Sequence, residues 1–232
     1  HQVPMEQRSV YGRAFVQAMN VWQRRADIRP LVFSRKLASI AAALLDVPAV
    51  RLYHDQALVK VARGGRTPWQ CDQYYWPLDT DRVVTVWIPL HDVPAEQGPL
   101  EFAVGSHRID LGRELDISEE SEQRIFRHDR WRDLPIDESA MAAGDITFHQ
   151  GWTFHGADPN ATDHARVVMT MIYFADGARL IEPIGAVALV MAVTIGATLF
   201  VSQAVAARLI GGGRPGSMIN GSSQMGHVSG PQ

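Results

Sequence analysis

The chain has 232 residues, 46% of them hydrophobic and 20% charged, with a formal net charge of −3. That length suits one large domain or one domain with an appendage. The composition excludes a disordered chain or a coiled coil, and the charge supplies no basic surface for nucleic acid or anionic lipid.

Cys71 is the only cysteine, which rules out an intramolecular disulfide and suits a reducing cytoplasm. No signal peptide is visible at His1, and such a start suits a truncated chain. From Val10 to about Arg25, Val10, Phe15, Met19 and Val21 recur at roughly helical spacing and predict a first helix. Ser34 caps a second, in which Leu37, Ile40, Ala41, Leu44 and Leu45 form an apolar stripe before Asp46-Val47-Pro48 stops it. Both helices are expected to pack on one outer face of a sheet.

Beyond Pro48 the pattern changes to strands. Val50 to Lys60 predicts one or two short strands, Gly64-Gly65 a turn, Arg82 to Leu90 a β-branched strand, and Gly98 to Ser106 a turn with a strand. Asp116 to Asp137 is charged and helix-like, an insertion expected to cover part of a site. Gly144 to His149 and Val167 to Phe174 are apolar strands. Many short strands separated by turns predict a mainly β fold with flanking helices, of jelly-roll type.

The chemistry concentrates in Thr67 to Pro77, TPWQCDQYYWP, and in Gly144 to Arg166. On a strand, Gln70 and Asp72 would project to the same side. Asp72 sits among Trp69, Tyr74, Tyr75 and Trp76, where an unpaired carboxylate is costly to bury; alone it reads equally as a metal ligand or a surface-loop acid. His155 alone reads as a hydrogen-bonded structural residue, Arg166 as the partner of a surface acid, and Trp87 as core. Together they read differently. An Asp and a His about eighty positions apart, with an Arg eleven positions further on, is a layout suited to a non-haem iron oxygenase, which holds its metal from distant strands and keeps positions open.

The segments TPWQCDQYYWP, GPLEFAVGSHR and GDITFHQGWTFHGADPN, with Arg166 following, resemble the phytanoyl-CoA dioxygenase family of iron(II)- and 2-oxoglutarate-dependent oxygenases over about residues 11–179. The resemblance implies a double-stranded β-helix, a cupin-like barrel, over residues 1–182. It implies Fe(II) held by Asp72, His155 and the residue at position 70, with 2-oxoglutarate as cosubstrate gripped by Arg166 beside Trp87 and within reach of Lys60. It also implies dioxygenase chemistry, hydroxylation of a small organic molecule by molecular oxygen. His149, near the distal ligand position, is read as a packing residue with no metal role. His54 and Asp55, as neighbours, face opposite ways and cannot replace a His-x-Asp pair.

One departure matters: the family's His-x-Asp is here Gln70-Cys71-Asp72. A neutral amide oxygen is a poorer donor to iron(II) than an imidazole nitrogen, so impaired catalysis is expected. A non-catalytic binding module retaining 2-oxoglutarate through Arg166 is the alternative, and a chimeric chain without selected function the third reading.

The composition shifts again at Pro183, after which no charged residue appears until Arg208. Residues 184–232 resemble an incomplete fragment of a short-chain dehydrogenase. Ser223 matches that family's catalytic Ser, Thr194 stands where Asn is usual, and neither the Tyr-x-x-x-Lys nor the Gly-rich fingerprint appears. Residues 183–232 are therefore expected to form a helix–strand appendage without dehydrogenase activity, with a membrane anchor at 184–207 as the minor reading.

Overall fold

The computed structural model describes residues 15–181 and the backbone of residues 227–229. In chain order the strands are β1 (Val16–Met19), β2 (Ala49–Lys60), β3 (Thr67–Gln70), β4 (Val83–Pro89), β5 (Glu101–Ala103), β6 (Ile136–Asp137), β7 (Thr147–Gln150), β8 (His155–Ala157), β9 (Arg166–Ala175) and β10 (His227–Ser229). They form a larger antiparallel sheet, β1-β2-β9-β4-β7 with β10 also on β2, and a four-stranded sheet, β3-β8-β5-β6. The predicted jelly-roll class is thus observed as two antiparallel sheets facing one another, without hydrogen-bonded closure into a barrel.

Among the described residues three α-helices accompany them: α1 (Arg29–Val32), α2 (Arg35–Leu45) and α3 (Glu119–Arg127). The Ser34 hydroxyl accepts from the Leu37 N–H and caps α2, whose end is marked by Asp46 in the left-handed region at φ 52°. Leu37, Ala38, Ala41, Ala42 and Leu45 are buried and join Val84, Val86, Ile88, Met169, Met171 and Tyr173 in one apolar cluster on the outer face of the larger sheet. Leu44, predicted to lie on this stripe, is exposed.

Alternation along the strands then turns the intervening residues inward. The cross-strand pairs Trp87↔Thr170, Gln56↔Thr170, Thr85↔Ile172 and Thr85↔His149 put Gln56, Thr85, Trp87, His149, Thr170 and Ile172 on the face toward the smaller sheet. An irregularity in β2 between Leu52 and His54 shifts its register against β9. Leu52 therefore packs outward with α2, while His54, Gln56 and Leu58 lie on the inner side.

Three expectations are corrected. The described part of the first predicted helix is instead β1 followed by a short 3₁₀ turn, Val21–Gln23: the β1 backbone pairs with Gln56 to Val59, the open edge of β2, and that ladder outweighs a short helical pattern. Gln70 and Asp72 do not share a strand, because β3 ends at Gln70 and Asp72 begins a 3₁₀ turn, Asp72–Tyr75.

Third, the charged insertion lines none of the cavity between the sheets and packs behind the smaller one. Ile125 and Trp131 join Trp69 and Phe154 in an apolar cluster there. The buried Glu122 carboxylate accepts from the Trp69 N–H at 3.0 Å and pairs with Arg66, so α3 satisfies an edge donor of β3. Among the described residues, no helix is long and apolar enough to cross a membrane. Apart from the backbone of β10, the tail expectations lie outside the described residues.

Candidate metal centre and cosubstrate pocket

The cavity between the sheets is lined from the larger sheet by Gln56, Thr85, Trp87, His149, Arg166 and Thr170 and from the smaller by Thr67, Gln70 and His155, with Asp72 at its edge. Asp72, His149 and His155 each present a ligand atom there, all within 4.8 Å of one another. His155 Nε2 lies 3.5 Å from Asp72 Oδ1, and His149 Nε2 lies 3.7 Å from Asp72 Oδ2. Ligand bonds of about 2.0–2.2 Å set neighbouring donors roughly 3 to 3.5 Å apart, close to these spacings.

The surroundings fix the donors. Thr153 O can only accept, so its 3.0 Å contact to His155 Nδ1 puts a proton on that nitrogen and, in the neutral ring, leaves Nε2 its lone pair toward Asp72. Thr85 Oγ1 donates to Asp72 Oδ2 at 3.2 Å. Burial disfavours the Asp72 anion, yet the facing His155 and His149 rings outweigh it and hold the carboxyl well below its usual range. Burial likewise disfavours a cationic His155, but Asp72 raises it above the ordinary imidazole value. Burial keeps His149 below that value, with Asp72 opposing.

Further along the inner face Arg166, 2% exposed, stands over the Trp87 ring at 5.4 Å and donates through Nη1 to the Gly98 carbonyl. Burial lowers its guanidinium to about 10, so it stays cationic at neutral pH. Gly98 has φ +62°, and a Cβ there would collide with the Asp158 carbonyl, so glycine is needed for this approach. Thr67 Oγ1, Gln70 Oε1, both ring nitrogens of His149, Arg166 Nε and Thr170 Oγ1 are buried without a partner. Such groups are costly to leave unpaired, and all of these face one cavity, which fits a polar ligand with a cation beside it.

The sequence-derived candidates fall into place unevenly. Asp72, His155, Gln70, Arg166 and Trp87 all line this cavity. Lys60 does not: it pairs across the strands with Arg166, is fully buried, and donates through Nζ to the Asp158 carbonyl at 2.6 Å. Burial and then the Arg166 charge lower its ammonium to about 7. Gln70 is the register partner of His155, with Nε2 3.4 Å from His155 Nε2. His149, to which the sequence assigned no metal role, also presents a ligand atom to this cavity.

The profile of the phytanoyl-CoA dioxygenase family matches residues 7–168. The chain belongs to that family. No curated relative matches it in sequence. Among solved structures, the epimerase SnoN of nogalamycin biosynthesis in complex with Fe3+, alpha ketoglutarate and nogalamycin RO is 25% identical, with a TM-score of 0.64 over 75% of this chain and 68% of its own. The non-heme alpha ketoglutarate dependent carbocyclase SnoK, from the same biosynthesis, is also 25% identical, with a TM-score of 0.64 over 73% and 67%. EctD from S. alaskensis with 2-oxoglutarate and 5-hydroxyectoine, at 22% identity and a TM-score of 0.60 over 73% and 59%, speaks for the fold alone.

The chain thus spans about two thirds of SnoN and SnoK and less of EctD.

Proposed function

We propose that this phytanoyl-CoA dioxygenase family member is an iron(II)- and 2-oxoglutarate-dependent oxygenase acting on a small organic molecule, with hydroxylation of a C–H bond by molecular oxygen as its reaction. The observation that carries this reading is the convergence of Asp72, His149 and His155 in the cavity that also holds a buried Arg166. Asp72 and His155 would hold the iron together with a third donor, Gln70 or His149. The metal, when bound, supplies the site at which the cosubstrate is oxidatively decarboxylated and oxygen is activated.

The protein's own groups do the rest. Arg166 offers a planar fork for the far carboxylate of 2-oxoglutarate, with Nε still unpartnered, and Trp87 packs beneath that guanidinium. Thr85 fixes the Asp72 carboxylate, and Thr153 fixes the tautomer of His155. The apolar Leu58, Leu100 and Ile172 limit water in the cavity. Impaired turnover was the expectation while Gln70 was the sole source of a third donor; His149 facing the same carboxylate weakens that ground. Iron(II) and a buried free Cys71 both suit a reducing cytoplasm, the location this reading assigns.

The test is succinate formation from 2-oxoglutarate under oxygen, with and without Fe(II), for the full chain and for Arg166→Ala. Iron-dependent succinate that Arg166→Ala abolishes supports an oxygenase. Binding of 2-oxoglutarate with no succinate would instead support the non-catalytic module that the amide at position 70 favours. Binding of neither iron nor 2-oxoglutarate sinks both.

A further inference from the structure

We infer that the third protein donor to the cation is His149 Nε2 on β7, replacing in space the histidine that Gln70 replaces in sequence. This deepens the oxygenase reading and rests on it. With His149 the donor set is two imidazoles and one carboxylate, the set suited to iron(II) with open positions; with Gln70 it is one imidazole, one carboxylate and a weakly donating amide.

Three observations separate the two candidates. The first is aim. Thr85 and His149 are register partners on β4 and β7, and Thr85 donates to Asp72, so the pairing that fixes Thr85 also turns the imidazole toward that carboxylate. The carboxylate meets each imidazole with a different oxygen, Oδ1 toward His155 and Oδ2 toward His149, and the two rings stand 4.7 Å apart, tilted by 50°. A cation seated against the carboxylate is reached from both sides.

The second observation is the extent of unmet bonding: Gln70 lacks a partner at Oε1 alone, its Nε2 facing His155, whereas His149 lacks one at both ring nitrogens. His149 is 5% exposed, and neither ring nitrogen has a partner within hydrogen-bond distance, Nε2 stopping 3.7 Å from Asp72 Oδ2. A neutral imidazole carries one lone pair and one N–H, and leaving such a group buried and unsatisfied is destabilising. A cation at Nε2 satisfies the lone pair.

The third is the engagement of Gln70. Its amide Nε2 faces the lone pair of His155 Nε2, the electrons that a cation would take. Gln70 therefore competes with the cation at His155 in this arrangement and must turn its amide before Oε1 can coordinate. His149 needs no such exchange.

The test is calorimetric titration of the full chain with Co2+, alongside thermal melts in chelator to confirm folding. His149→Ala is expected to lose at least tenfold in affinity, Gln70→Ala to stay within about threefold, and Gln70→His/His149→Ala to regain affinity by restoring the sequence pattern. Pulsed EPR of the unmodified chain loaded with Cu2+, which needs no variant to fold, is expected to resolve two coordinated imidazoles. A single imidazole, parental affinity in His149→Ala, or a tenfold loss in Gln70→Ala overturns the inference. Failure of the underlying reading looks different: Asp72→Ala and His155→Ala would then bind Co2+ as tightly as the parent.

Discussion

The two faces of the larger sheet are made by the same strands and do opposite work. On the outer face Val84, Val86, Ile88, Met169, Met171 and Tyr173 interlock with α2, and the one polar group among them is satisfied, the Tyr173 hydroxyl donating to the Val32 carbonyl at 3.1 Å. On the inner face, one residue along each strand, Thr85, His149, Arg166 and Thr170 surround a cavity, and three of these four carry buried polar atoms without partners. A folded chain gains nothing from unpaired polar groups. Stability is thus concentrated on one face and chemistry on the other, and substitutions should separate them.

The sharpest break comes at Asp72. Asp72→Ala is expected to lower Co2+ affinity at least about a hundredfold in calorimetry, more than a group acting only behind the ligands would cost. The mirror image is Met171→Ala on the outer face. It should cost about 2–5 kcal/mol in urea unfolding and leave Co2+ affinity per folded molecule unchanged.

Arg166→Lys keeps the charge but loses the fork, and is expected to raise the 2-oxoglutarate KM roughly tenfold without weakening metal binding. Lys60 sharpens the comparison through pH. Its folded-state value of about 7 lies below the ordinary 10.5, so the unfolded chain binds more protons between those values. The penalty for burying it is complete below pH 7 and is relieved as pH rises toward 10.5. The parent should therefore gain several degrees in Tm between pH 7 and pH 9 relative to Lys60→Met, whose melting lacks this contribution. Smallest is Ser34→Ala, which removes the cap of α2 and should cost about 1 kcal/mol with metal affinity untouched.

What was legible in the sequence follows from how local each signal is. α2 was readable because its cap, stripe and stop all lie within the segment Ser34 to Asp46. The meeting of Asp72, His155 and Arg166 in one cavity was readable from type, order and spacing. The strand at Val16 was not, because an edge of β2 more than thirty residues away decides it. His149 carried a usable signal, since alternation along Thr147, Phe148, His149 and Gln150 sets it on the face opposite Phe148, which packs with the outer cluster. That signal for a cavity-facing side chain was passed over because position 70 had been assigned the third ligand place. Lys60 was credited with reaching the cosubstrate because sequence cannot show that it lies abreast of Arg166 and is anchored on the Asp158 carbonyl.

The register irregularity in β2 has a consequence for how this scaffold tolerates change. It resets the phase of the strand, so the half that meets α2 and the half that bounds the cavity obey separate alternations. A slip of one residue near Val50 can be absorbed at Tyr53 without re-aiming Gln56 or uncoupling Lys60 from Arg166. The hydrophobic seat of the helix can then drift independently of the reactive chamber, although one continuous strand serves both.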